Sequence, residues 1–384
     1  MNIAFISGGY CQANNVTSWS GIPYHMVRAL ESCGCEVQQI NLSSPRMFNY
    51  ELVAKIWSQL VYKKRVLLER TPRRIATMKK QLAGQLDGLD YDAIVAPSSL
   101  YIAALPEKSG PSAFWADACF AGMIGFYDDF SRLTKGSLKE GHAAEQNALR
   151  RVSTALYSSD WAATTARKAY GDPEGRIAVV PFGANMEEAP DQAKISAALE
   201  RRGGSSLRLL FMGVDWKRKG GDYACEVVRQ ARLRGIPAEL DVVGCLPPKG
   251  SVEGKPWVRT HGFISKATPE GRQRLETLMM EADWLILPTQ AECYGLVFAE
   301  ASGYALPSLA TAVGGVPTAI LNGRNGFVFS LDTPLKTWVD TIDFYWKDRE
   351  AYRALAMTSR AEFLTRLNWK VAGQTALKQL NKWL

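Results

Sequence analysis

Short apolar runs alternate along the chain with longer segments whose apolar positions recur at helical spacing, the pattern of a parallel α/β architecture. The short runs predict strands at Ile3–Ile6, Glu36–Asn41, Ala93–Ala96, Ser112–Trp115, Ala155–Ser158 and Ile177–Val180. After the loop Pro181–Asn185 comes a polar stretch with Pro190 and the pair Gly203-Gly204. The alternation then restarts at Leu207–Met212 and runs through Glu239–Val243, Val258–Phe263, Trp284–Pro288 and Ser308–Ala310. A helix is expected over Gln273–Ala282, with Leu275, Leu278 and Met279 on one face. Two α/β units joined near residue 185 account for this pattern most simply.

Length agrees with that division, since 384 residues suit two domains. A composition of 47% hydrophobic and 22% charged residues excludes a disordered or fibrous chain. The seven cysteines are odd in number and show no C-x-x-C spacing, so they read as scattered thiols in a reducing compartment. The three histidines lie far apart, which argues against a histidine-rich metal centre. Met1–Ser7 reads as a strand and not a signal peptide, and the uncharged stretch Tyr304–Leu321 is cut by Pro307, Gly314, Gly315 and Pro317. The expectation is a cytoplasmic protein.

Candidate chemistry gathers where strands give way to helices. In the first unit, Ser20-Gly21-Ile22-Pro23 makes a helix start able to offer free N–H groups to a phosphate, although the spaced-glycine dinucleotide fingerprint is absent. In the second, Gly213 and then Lys217-Arg218-Lys219-Gly220-Gly221 follow a strand, at the carboxyl edge where open sheets bind ligands. Arg218 can fork onto phosphate oxygens, and Lys219 adds a mobile charge; a solvated basic turn is the plain alternative. Downstream, Glu292 falls in a loop before a helix that starts near Gly295, and Glu300 falls more than a turn inside it. Asp90-Tyr91-Asp92 matches a metal-binding D-x-D but precedes a strand of the first unit, where a turn explains it better.

The spacing of Glu292 and Glu300, with Arg218-Lys219-Gly220-Gly221 upstream and Gly314-Gly315-Val316-Pro317 downstream, resembles the family 4 retaining glycosyltransferases of GT-B fold. The likeness extends to Ser20-Gly21, Ser158-Ser159-Asp160-Trp161, the hinge Pro181–Asn185 and Trp369, and so spans nearly the whole chain. The resemblance implies two Rossmann-like domains facing a cleft. Residues 1–184 would bind the acceptor, residues 185–368 the nucleotide sugar, and residues 369–384 would form a helix crossing back. It implies Arg218 and Lys219 on the donor diphosphate, Glu300 on the ribose and Glu292 on the sugar. Cys293, Tyr294, Gly295, Leu296 and Val297 would line the donor loop, Gly213 the strand end, Phe263 and Ile264 the base pocket, and Ser20 and Gly21 the phosphates. Asp117 stands where many relatives carry a histidine that touches the sugar, and Cys293-Tyr294 where Pro-Phe is common. An ionised carboxylate accepts hydrogen bonds without donating, so that exchange changes the chemistry.

The reaction so implied transfers a hexosyl group from a nucleotide-diphosphate sugar to a saccharide or lipid-linked hydroxyl acceptor with retention, in bacterial polysaccharide, lipopolysaccharide or glycolipid synthesis. No cofactor and no metal are expected. A UDP-sugar 2-epimerase of the same fold, or a non-catalytic basic lipid-binding protein, would also fit.

Charge adds one feature. The chain holds 46 Lys and Arg against 38 Asp and Glu, a net +8. Between Leu52 and Lys80 lie nine basic residues and only Glu69 in opposition, which equals the whole excess. Val53, Ile56, Trp57, Leu60 and Val61 are interleaved at helical spacing, so this segment reads as a basic amphipathic helix for an anionic membrane surface or as an ordinary solvated helix. Nucleic acid is not expected as a partner.

Overall fold

The computed structural model describes residues 1–9, 11–43 and 47–384, with only the backbone of Asn49, Tyr50 and Ala54. The chain forms two compact units, Met1–Pro181 with Ala372–Leu384, and Phe182–Val371.

The first unit holds strands β1 (Asn2–Gly8), β2 (Glu36–Leu42), β3 (Ala93–Ala96), β4 (Ser112–Ala116), β5 (Thr154–Tyr157) and β6 (Ile177–Val179), parallel and ordered β2-β1-β3-β4-β5-β6. Ile3 pairs across to Val37 on one side and Ala93 on the other. Helices cover both faces of such a sheet, so its central strands are apolar throughout instead of alternating. Ile3, Phe5, Ile94 and Phe114 are accordingly sealed from solvent. Trp115 is also buried, its indole N–H donating to Val180 O at 2.8 Å.

The second unit holds β7 (Leu207–Met212), β8 (Ala238–Val243), β9 (Val258–Gly262), β10 (Trp284–Leu287), β11 (Ser308–Thr311) and β12 (Gly326–Phe329), parallel and ordered β12-β11-β10-β7-β8-β9. The strand β12 is additional to the sequence expectation. It is short and follows a tight turn, and only its pairing with β11 separates it from a loop. The helix expected at Gln273–Ala282 spans Pro269–Glu281 and buries Leu275, Leu278 and Met279 as the pattern requires.

Each sheet has one place where the direction of winding reverses: between β1 and β3 in the first unit, and between β7 and β10 in the second. Crevices open at such points beyond the carboxyl ends of the strands.

Helices α1 (Ile22–Ser32), α2 (Asn49–Tyr62), α3 (Pro72–Leu86) and α4 (Ser99–Ala103) pack in the first unit. The basic segment is therefore two helices and not one. Lys63 closes α2 in the left-handed region at φ 54°, and Pro72 opens α3 behind the cap Thr71. Val66, Leu67 and Leu68 lie in the connection. The last helix, Trp369–Leu380, starts in the second unit and ends in the first. Its Trp369 stacks on Phe182 with centroids 5.7 Å apart and donates to Asn185 Oδ1 at 2.7 Å. A side chain at Gly183 would sit 2.2 Å from Trp369 N, so only glycine fits there.

Candidate functional site

The site of the second unit grows from two loops that leave adjacent strands at the reversal point. After β7, Gly213 N donates to Val243 O, and Gly213 O lies where a Cβ on Gly244 would be only 2.8 Å away. The loop then turns on Asp215, whose carboxylate accepts from Arg218 N at 3.0 Å. Gly220 ends it at φ 79°, with space for a Cβ denied by Pro288 O at 2.1 Å. This tight approach locks the loop onto the end of β10.

Hydrogen bonds close the two loops together. Arg218 O accepts from Gln290 N at 2.8 Å and from Thr289 Oγ1 at 3.2 Å, while Arg218 Nη1 donates to Ala291 O at 2.7 Å. Lys219 Nζ is ion-paired with Glu292 Oε2, and Arg218 Nη1 stands 3.7 Å from the same oxygen. Lys219 is only 8% exposed. A buried ion pair adds little stability, because lost hydration offsets the Coulombic gain. What the arrangement provides is two cations and a carboxylate held in place before a ligand arrives.

Glu292 is anchored through its backbone, its carbonyl accepting from Gly315 N at 3.1 Å, which brings the Gly314-Gly315 turn to the same place. Gly295, at φ 85°, then starts the helix Leu296–Gly303. Cys293 and Tyr294 turn inward. Both side chains are buried, and the Tyr294 hydroxyl donates to Phe182 O at 2.8 Å. Burial also pushes the Tyr294 phenol well above its ordinary range. With both side chains turned inward, what these two residues leave for a ligand is backbone. Leu296 and Val297 are half-buried in the first helical turn.

Glu300 lies a turn further on, buried, with its carboxylate paired to Lys266 Nζ. Lys266 was not among the expected residues. It sits in the loop after β9, a lone cation with no local pattern to mark it. The same loop carries Ile264, half-buried, and Phe263, whose ring is 73% exposed beyond the strand end.

Side-chain caps close some helix starts of the chain and leave others open. Thr71, Ser98, Thr134, Ser159, Asp191, Thr268 and Asp348 each cap a helix with a side-chain oxygen. The helices behind Gly220 and Gly295 have no such cap, and neither does α1 behind Gly21. Their first N–H groups and the positive helix end suit an anion.

The remaining expected residues belong to the first unit. Trp19, Ser20 and Gly21 take consecutive left-handed conformations, at φ 44°, 56° and 82°, before α1 begins. Asp117 follows β4, half-buried. Burial, reinforced by the Asp117 charge, pushes the nearby Cys11 thiol up to about 12. Of the D-x-D residues, Asp92 spends its carboxylate on Asn2 N at 2.7 Å, tying β3 to β1. Among the described residues no group of three His, Cys, Asp or Glu side chains converges, and no helix is long and apolar enough to cross a membrane.

Comparison with known proteins gives a family match for part of the chain and a shared fold for the whole. Residues 206–348 match the family model described as "Glycosyl transferases group 1". The D-inositol 3-phosphate glycosyltransferase of Xylanimonas cellulosilytica is 31% identical over 228 residues, 54% of this chain and 52% of that protein. Its counterpart from Paenarthrobacter aurescens is 28% identical over 204 residues, 50% of each. The chain thus spans about half the length of the curated relatives it matches. Among solved structures, the sucrose-phosphate synthase of Thermosynechococcus elongatus superposes with a TM-score of 0.69 at 16% identity, over 99% of this chain and 98% of that one. The Anabaena protein HepE in complex with UDP and glucose gives 0.62 at 15% identity over 99% of each. At such identities the likeness is one of fold, and that fold is GT-B.

Proposed function

We propose, from the match of residues 206–348 to the group 1 glycosyltransferase model, that the chain transfers a hexosyl group from a nucleotide-diphosphate sugar to a hydroxyl acceptor, retaining the anomeric configuration. The observation that carries this reading is the Lys219–Glu292 pair with Arg218 beside it, at the reversal point of the second sheet and between two helix starts without side-chain caps. The donor diphosphate would take Lys219 and Arg218 as partners. Glu292, released by that exchange, would accept from the sugar hydroxyls and Glu300 from the ribose. Phe263 offers the base an exposed aromatic face.

In the reaction the bond from the anomeric carbon to the diphosphate oxygen breaks, and its electron pair leaves with the diphosphate. The acceptor hydroxyl attacks from the same face and passes its proton to the departing phosphate oxygen. Charge grows on the leaving group, where preorganised cations and helix N–H groups act most strongly. Anabaena HepE was solved with UDP and glucose, so a UDP-sugar is the first donor to try.

The acceptor side of the proposal includes a membrane surface. On α2, Leu52, Val53, Ile56, Trp57, Leu60 and Val61 are all exposed, while Glu51 and Ser58 face inward. The helix therefore shows its apolar side outward. Exposed Lys63, Lys64, Arg73, Lys79 and Lys80 follow on the next turns and on α3. That combination suits an anionic bilayer.

A thermal-shift panel of UDP-, GDP- and ADP-sugars tests the donor reading: one nucleotide class should raise the melting temperature. No shift with any of them would sink the assignment. The anomeric coupling of the product, read by NMR, then reports retention, and a 2-epimerised sugar formed without acceptor would move the chain to the epimerases.

A further inference from the structure

The first unit holds a cavity of about 370 Å³ that the donor reading does not use. It opens at the carboxyl ends of β1 and β2, beside α4 and across the reversal point of the sheet. Its walls are apolar, built from Leu42, Met47, Leu68, Met78 and Leu100. Several polar groups in and under it are occupied by one another. The Tyr101 hydroxyl donates to Gly8 O at 2.7 Å, and Ser7 Oγ donates to Asn41 Oδ1 at 2.7 Å. The Arg74 guanidinium, which also reaches the lining, is paired with Glu51 at 2.7 Å. Water gains little against this inner wall, whose polar groups are already satisfied, whereas an apolar ligand gains by leaving water. Ser43 and two charged residues of opposite sign, Lys55 and Glu69, all exposed, add the polar part of the lining.

We propose that this cavity receives the aliphatic stem of an amphiphilic acceptor, with the neutral hydroxylated headgroup held beside Lys55 and Glu69. The substrate class is thus a hydroxyl-bearing lipid or lipid-linked saccharide and not a free sugar. The inference rests on the glycosyltransferase reading for the word acceptor, but the cavity's preference for an alkyl chain stands apart from it. Lys55 comes from α2, whose outer face is apolar, so a chain drawn from a bilayer beneath α2 has a short path to the cavity.

Calorimetry on the full chain with n-decyl β-D-glucoside below its micellar concentration, against methyl β-D-glucoside, tests it. The decyl compound should bind at least about tenfold more tightly, since each buried methylene adds affinity. Leu100→Trp, which fills the cavity, should remove that advantage while UDP-sugar binding persists. If this variant does not fold, Leu68→Gln at a half-buried wall position serves the same end. Equal binding of the two glucosides, or decyl binding unchanged by a folded cavity variant, overturns the proposal. So does decyl binding lost only when Trp57→Ser and Leu60→Ser alter the outer face of α2. A chain that binds the decyl compound in the cavity but no nucleotide sugar would instead fail the donor reading.

Discussion

The two sheets end in opposite kinds of surface. Beyond β7 and β10 the second unit gathers Arg218, Lys219 and Glu292, with glycines that bring backbone close and helix starts without side-chain caps. Beyond β1 and β2 the first unit pairs its buried charges internally and leaves the charges of Lys55 and Glu69 exposed in the cavity lining. Arg74 is held by Glu51, and Arg70 by Glu145, which also accepts from Ser99 at 2.8 Å. What remains there is an apolar cavity. Parallel strand architecture thus sets where a ligand can sit, and the loops decide whether the place is charged or oily.

The largest effect expected on this contrast is on the charged side. Lys219→Ala should lower turnover with the donor found by the nucleotide panel by about 3–4 kcal/mol in barrier, a factor of hundreds, while circular dichroism stays unchanged. Glu300→Ala should act chiefly on the donor KM. Wild-type turnover in a folded Lys219→Ala protein would remove the donor site from this edge.

On the apolar side, the double change Trp57→Ser with Leu60→Ser should weaken sedimentation with anionic liposomes about tenfold or more through lost apolar burial in the bilayer. Exposed positions carry little folding energy, so the melting temperature should hardly move. Undiminished sedimentation would mean that α2 does not face the lipid.

The smallest effect concerns the internal pairing itself. The Glu51 carboxyl is held below its ordinary 4.5 by the Phe48 N–H and by Arg74, against an opposing effect of burial. Its folded value lies below its unfolded one, so its contribution is complete above about pH 4.5 and is lost as pH falls through the lowered value. Melting temperature should therefore drop on acidification more steeply in wild type than in Glu51→Gln. Parallel acid profiles would show that this pair does not steady the first unit.

Much of this was legible in local pattern. Strands such as Ala93–Ala96 and Trp284–Leu287 stand where their apolar runs predict, because a strand buried on both faces needs an unbroken apolar run. Glycines at 21, 220 and 295 mark helix starts, since each adopts a positive φ that other residues resist. The strand Gly326–Phe329 opens on a glycine directly after a turn, and its pairing with β11 is not written in local pattern. Lys266 had no pattern at all, and its meeting with Glu300 exists only across the fold. Charge and apolar spacing continue through the basic segment and so predict one helix, whereas Lys63 and Pro72 break the backbone.

The sequence by itself determined the two α/β units, the order of their elements and the loops that carry Arg218, Lys219, Glu292 and Glu300, because periodicity and turn residues act over a few positions. Tertiary structure alone decided that Lys219 meets Glu292 across 73 residues, since strand order and not chain order makes β7 and β10 neighbours. It alone turned the polar side of α2 inward, because Glu51 finds Arg74 there. An amphipathic pattern states that a helix has two sides; only the surface it lies against chooses which of them water sees.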